Sequence, residues 1–244
     1  MKKINFKVKN QKIKGTLFYP DKIKPKNPAV IFIHGWTSSK KGYTPRAQAV
    51  SKKGAICLTY NLRGHGNSEG TLDKLSRQDH LQDTITAYDF LISQPNIDKN
   101  NIGVVGSSYG GYLAAILTSK RKIKWLVLRV PALYQDKSFK TATKKIILND
   151  EKVYRQYKLK PQGNMALSSV SKFQNDLLII ESEKDEVIPR QTLLNYKNAV
   201  SSKANLDYMV IKGADHALGK RTDNNKWRLA YIKILKNWFS KKFN

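Results

Sequence analysis

A single cysteine, Cys57, excludes an internal disulfide. It lies in an apolar run, where a small hydrophobe fits. Acidic residues are scarce: 18 Asp+Glu stand against 45 Lys+Arg, a formal charge of +27. Such a surface suits nucleic acid, anionic lipid or acidic substrates. Lysine far outnumbers arginine, however, and the lysines are spread along the whole chain. A dedicated phosphate-reading surface enlists arginine and clusters its charge. The charge is therefore expected to be compositional. Specific nucleic-acid binding is not expected, and any DNA or RNA binding should be weak and lost with salt. Weak association with anionic surfaces is the remaining electrostatic expectation. No apolar run is long enough to span a membrane. The basic start, Met1 to Lys7, is followed by no apolar stretch of the signal-peptide kind. A soluble, cytoplasmic protein is the expectation.

Phosphate loops are missing too. The glycine-rich stretch 61–70 lacks a Gly-Lys-Ser/Thr ending, and no Gly-x-Gly-x-x-Gly directly follows a strand. His34 and His65 sit in loops after neighbouring strands, but no cluster of further metal ligands accompanies them. Neither a metal nor an organic cofactor is implied.

What is present is an alternating pattern. The chain has 244 residues, 40% of them hydrophobic, enough for one sizeable α/β domain with a small insertion. Residues 4–8 and 13–19 alternate, as an opening hairpin on a sheet edge would. Continuous apolar runs follow at 29–33, 55–60, 102–105, 125–130, 177–180 and 206–211. Each reads as a strand, and the uninterrupted run 29–33 as one buried on both faces. Helical spacing lies between most of them, with Thr44-Pro45 as a helix start and Asp79 and Asp83 in the first turns of another helix, where negative charge suits the dipole. The closing helix sets Trp227, Tyr231, Ile234, Leu235 and Trp238 on one face. Strand–helix–strand order from Ala29 onward implies parallel pairing with helices on both faces. Residues 131–173 break that rhythm, with short helices expected at 144–148 and 151–157. The expected organisation is a core of 1–130 and 174–244 with a small cap insertion at 131–173.

The chemistry centres on Gly106-Ser107-Ser108-Tyr109-Gly110. A strand precedes it and a helix follows. A sharp turn between them would lift the Ser108 hydroxyl to the end of the sheet, beside free N–H groups at the helix start. The glycines are needed where the backbone doubles back. Ser107 is the competing nucleophile, but it lacks glycines two residues to either side. Acidic residues then follow a later strand, and His216 follows the last.

Ser, Asp, His in that order resembles the α/β-hydrolase fold, and the resemblance covers essentially the whole chain. His34-Gly35 is similar to that superfamily's oxyanion loop. Arg63-Gly64-His65-Gly66-x-Ser68 is similar to the loop after its fourth strand. Residues 177–189 resemble its acid loop. The branch it looks like includes monoacylglycerol lipases, small acyl or cinnamoyl esterases and serine-aminopeptidase-like proteins. One departure is Asn61, where that branch carries Asp, which leaves a local salt bridge in question. Glu181, Glu183, Asp185 and Glu186 all lie in the acid stretch, and the resemblance picks Asp185, just before Val187-x-Pro189.

The resemblance implies a mostly parallel sheet of about eight strands flanked by helices. It implies Ser108 as nucleophile, His216 as base and Asp185 as its orienting acid, with the backbone N–H groups of Trp36 and Tyr109 receiving the oxyanion. Tyr134, Phe139 and Met165 in the insertion are candidates for a pocket taking short to medium or aromatic acyl groups. The expected substrate is a small acyl ester. A peptidase or thioesterase would use the same residues, and a non-catalytic binding protein of this fold is the alternative from another class.

Overall fold

The computed structural model describes residues 1–146, 148–219 and 225–243. Eight strands form one sheet: β1 (Lys2–Val8), β2 (Gln11–Phe18), β3 (Asn27–Ile33), β4 (Ile56–Tyr60), β5 (Ile97–Ser107), β6 (Trp125–Arg129), β7 (Asp176–Ser182) and β8 (Asn205–Ile211). Their order is β1-β2-β4-β3-β5-β6-β7-β8. The opening hairpin is antiparallel, and β2 joins β4 antiparallel. All later pairings are parallel. This is the α/β-hydrolase architecture.

The continuous apolar runs have a direct cause. In β3, Ala29, Ile31 and Ile33 enter one core cluster while Val30 and Phe32 enter another. Successive side chains of a strand point to opposite faces, so a sheet covered on both sides needs hydrophobes at every position. The first face is covered by α2 (Arg77–Ile92), α3 (Tyr109–Leu117), α5 (Met165–Lys172) and α6 (Arg190–Ala199). The second is covered by α1 (Thr44–Ser51) and α7 (Lys226–Lys242). From α7, Tyr231, Leu235, Trp238 and Phe239 are buried. Full burial of one such side chain stabilises the fold by roughly 1.5–3 kcal/mol. Among the described residues, no helix is long and apolar enough to cross a membrane.

Local chemistry departs from expectation in two helices. A 3₁₀ turn at Lys40–Tyr43 runs straight into α1, so Thr44 already has helical angles and Tyr43 is the cap. In α2 the cap is Ser76, which forms a reciprocal capping box with Asp79. Asp83 does not serve the helix dipole. It is fully buried and paired with Arg63 Nε at 2.5 Å. Arg63 also lies 3.6 Å from Asp79. Asn61, the departure from the resembling branch, makes no ion pair: its Oδ1 accepts from Lys40 N–H and its Nδ2 donates to Asn67.

Residues 131–173 hold a 3₁₀ turn at Thr143–Lys145, α4 (Leu148–Tyr154) and α5. Residue 147, within the first helix expected there, lies outside the described residues. Helix α5 carries no periodic signal long enough to stand out, yet Ala166, Leu167 and Val170 join the main core. A buried Arg77–Glu151 pair at 3.2 Å ties α4 to α2.

Candidate active site

Strands β5 to β8 lie side by side and parallel, so the loops leaving their C-terminal ends gather at one edge of the sheet. Ser108 follows β5, Asp185 follows β7 and His216 follows β8. Ser108 has φ 53° and ψ −118°, a strained conformation for a residue with a side chain. Sterics explain its glycines. A Cβ on Gly106 would collide with the Gly110 carbonyl, and one on Gly110 would collide with the carbonyls of Ile33 and His34. The elbow is thus wedged between α3 and the end of β3. Ser107 points elsewhere: it is 3% exposed, and its hydroxyl lies 3.4 Å from the Tyr231 hydroxyl.

The acid stretch sorts itself by partner. Asp185 Oδ2 lies 2.7 Å from His216 Nδ1. Asp185 Oδ1 accepts the backbone N–H groups of Val187 and Ile188 at 2.9 and 2.7 Å. Glu183 instead binds Lys212 and the Gly213 N–H. Glu181 binds the Tyr208 hydroxyl, and Glu186 accepts the His216 N–H at 3.1 Å. Asp185 and His216 are therefore joined directly. Among the described residues, no hydrogen bond joins the Ser108 hydroxyl to His216.

Trp36 and Tyr109 stand together beside the serine, their rings 5.0 Å apart and edge-on. A Cβ on Gly35 would come within 3.6 Å of the Ser108 Cβ, so the 34–36 loop lies against the elbow. Tyr109 opens α3, where backbone N–H groups have no helical acceptor. Of the three pocket candidates, Tyr134 packs edge-on against Tyr109 and Tyr112 at 5.6 and 5.0 Å. Arg77 and Arg155 stack over its ring at 4.8 and 4.7 Å. Phe139 and Met165 are half-buried on the same core. Their backbone bonds go to α2 and the insertion: Gln78 N–H donates to the Phe139 carbonyl, and Met165 N–H donates to Asp136.

Three histidines lie beneath this loop. The rings of His34 and His65 are 5.0 Å apart, and those of His65 and His80 are 5.3 Å apart. Leu62 N–H donates to His34 Nε2, so the proton sits on Nδ1 and is given to the Gly35 carbonyl. His80 Nε2 donates to the Arg63 carbonyl and Nδ1 accepts the Tyr109 hydroxyl. Both rings are neutral, with burial pushing each down to about 3. His80 carries no sequence signal, since it sits in a helix like any polar residue.

A stability prediction follows. The unfolded value of about 6.5 exceeds the folded one, so between pH 6.5 and 3 the unfolded chain binds more protons. Stability present above that window is lost as pH falls through it, by about 1.4 kcal/mol per pH unit for each histidine. Urea unfolding at pH 6.5 and 5.5 should show the fall, and His80→Gln should remove one histidine's share of the slope. An unchanged midpoint between the two pH values would contradict the neutral cluster.

The superfamily is thus defined by the sheet order and the elbow. The chain belongs to the prolyl oligopeptidase family, whose model matches residues 42–244. It is 26% identical over 224 residues to palmitoyl-protein thioesterase ABHD10, mitochondrial, of Bos taurus, covering 83% of this chain and 71% of that one. A Mycoplasma genitalium protein named as a candidate esterase/lipase is 30% identical over 139 residues, 55% of this chain and 49% of that one. Est1E of Butyrivibrio proteoclasticus, solved with ferulic acid bound, superposes with a TM-score of 0.75 at 18% identity over 98% of both chains. Its relatives are hydrolases of esters, thioesters and peptides.

Proposed function

We propose that this protein is a serine hydrolase of small carboxylic esters, working through an acyl-enzyme. The observation that carries the reading is the strained Ser108 elbow at one edge of the sheet with a preformed Asp185–His216 pair. In this reading His216 Nε2 takes the Ser108 proton as Oγ attacks the acyl carbonyl carbon. The N–H groups of Trp36 and Tyr109 receive the oxyanion. The alcohol leaves with the proton from His216, and water, activated by the same ring, releases the acid and frees the serine. Asp185 holds the Nδ1–H tautomer and steadies the imidazolium.

Tyr134 supports the acyl assignment. An aromatic wall set against Tyr109 suits a flat or short acyl group, and residues 131–173 would act as the cap that carries it. The thioesterase relative favours a second reading, in which the same residues cleave thioesters. The test is kcat/KM across p-nitrophenyl esters of graded length, with thioester and peptide controls, for wild type and Tyr134→Ala. We expect esters of short or aromatic acids to be preferred. Tyr134→Ala should cost roughly tenfold on aromatic acyl groups and less on acetate, since one lost aromatic contact is worth about 0.5–1.5 kcal/mol. A clear preference for peptides would sink the ester reading, and an unchanged acyl profile would remove Tyr134 from the pocket.

A further inference from the structure

We propose that Arg129 is a positioning residue that ties Ser108, the acid loop and His216 to one point on β6. This rests on the reading of those three residues given above. Arg129 ends a strand that is otherwise Trp-Leu-Val-Leu, and it is 5% exposed. A charge placed there must be compensated, because burying an unpaired guanidinium is costly. Among the described residues it forms no ion pair with a carboxylate. Its Nη2 donates instead to the Ser182 hydroxyl at 2.9 Å, the His216 carbonyl at 2.6 Å and the Asp215 carbonyl at 3.4 Å. Its own carbonyl accepts the Ser108 N–H at 3.0 Å.

One residue therefore holds both the nucleophile and the base by their backbones. Ser182 closes the triangle, because its carbonyl accepts the Asp185 N–H at 3.1 Å at the start of the acid loop. The Tyr231 ring lies 5.7 Å from the guanidinium carbon and lines its other side.

The backbone next to Arg129 shows the same concentration of constraint. Val130 has φ 36°, an outlier for a β-branched residue. It is held there by its N–H to the Ile180 carbonyl at 2.9 Å, and Ala132 N–H returns to the Ser108 carbonyl at 3.1 Å. Strain of this kind persists only where surrounding bonds over-determine it. Ser108 is thus bonded to Arg129 and Ala132, on either side of strained Val130, and the Arg129 side chain extends these constraints to the histidine loop. Positional errors of about 1 Å in such a constellation cost on the order of 100-fold in rate.

The test uses Arg129→Met, Arg129→Lys and Ser182→Ala. Active sites are first titrated with a fluorophosphonate, so that kcat is expressed per competent site. This separates a loss of folded protein from a loss of positioning. For Arg129→Met we expect kcat per site to fall roughly 10- to 100-fold with KM within about twofold. Arg129→Lys should recover part of that loss, since an ammonium keeps the charge and several donors but does not occupy the position of Nη2. Ser182→Ala should show a smaller fall in the same direction. Should Arg129→Met not fold, Arg129→Lys and Ser182→Ala decide by the same readout. Wild-type kcat per site in the Arg129 variants, with Ser108→Ala inactive, overturns the role of Arg129 alone. Turnover retained by Ser108→Ala overturns the reading of the site itself.

Discussion

Ser108→Ala is expected to abolish ester turnover, with kcat falling roughly 10⁵-fold or more and labelling by a fluorophosphonate disappearing. The loss should leave the fold intact. Alanine tolerates the strained angles no worse than serine, and the Ser108 backbone bonds to Arg129, Gly111 and Ala132 do not involve the hydroxyl. Ser107→Ala is the matched control. Its hydroxyl is buried beside Tyr231, so its removal should change kcat by less than about threefold, while costing up to about 1 kcal/mol of stability for a long and weak hydrogen bond. Labelling that survives in Ser108→Ala and vanishes in Ser107→Ala would assign the nucleophile to the wrong serine. The distinction is sharp because adjacent strand-end residues face opposite sides of the sheet.

The elbow could be read from the sequence because each of its positions is dictated by sterics that leave few choices. Gly106 and Gly110 meet backbone that any Cβ would strike, and the flanking strand and helix have long, regular patterns. The buried strands were equally legible, since a sheet covered on both faces demands hydrophobes at every residue. Arg129 was not singled out. A charged residue closing an apolar strand is the only trace it leaves, and its acceptors, a hydroxyl and two carbonyls, lie more than 50 residues away. Asp83 was misread for a related reason: a carboxylate early in a helix fits the dipole rule, and only the fold brings Arg63 to it. Helix α5 was hidden by its composition. Met-Ala-Leu-Ser-Ser-Val-Ser-Lys is short and serine-rich, so its helicity comes from docking on α3 and α6 and from the Asn164 cap, not from propensity.

Asp185→Asn should lower kcat by about 10⁴-fold while leaving the backbone of its loop in place. The geometry fixes why. Asp185 Oδ1 already accepts two backbone N–H groups, from Val187 and Ile188. An asparagine must keep its only carbonyl oxygen there, because an NH₂ group would face two donors. Its Nδ2 then points at His216 Nδ1 and donates to it. That forces the His216 proton onto Nε2, the atom that in the proposed mechanism accepts the proton from Ser108. The substituted enzyme therefore holds its base in the wrong tautomer although nearly every contact survives. Glu183→Gln is the control within the same stretch. Glu183 is exposed and binds Lys212 and the Gly213 N–H, so its loss should change kcat by less than about threefold. Both variants are compared by kcat per titrated site at one fixed pH, pH 8. A nearly normal Asp185→Asn beside an inactive Glu183→Gln would transfer the orienting role to Glu183, and the hydrogen bond between Asp185 and His216 would then have no part in catalysis.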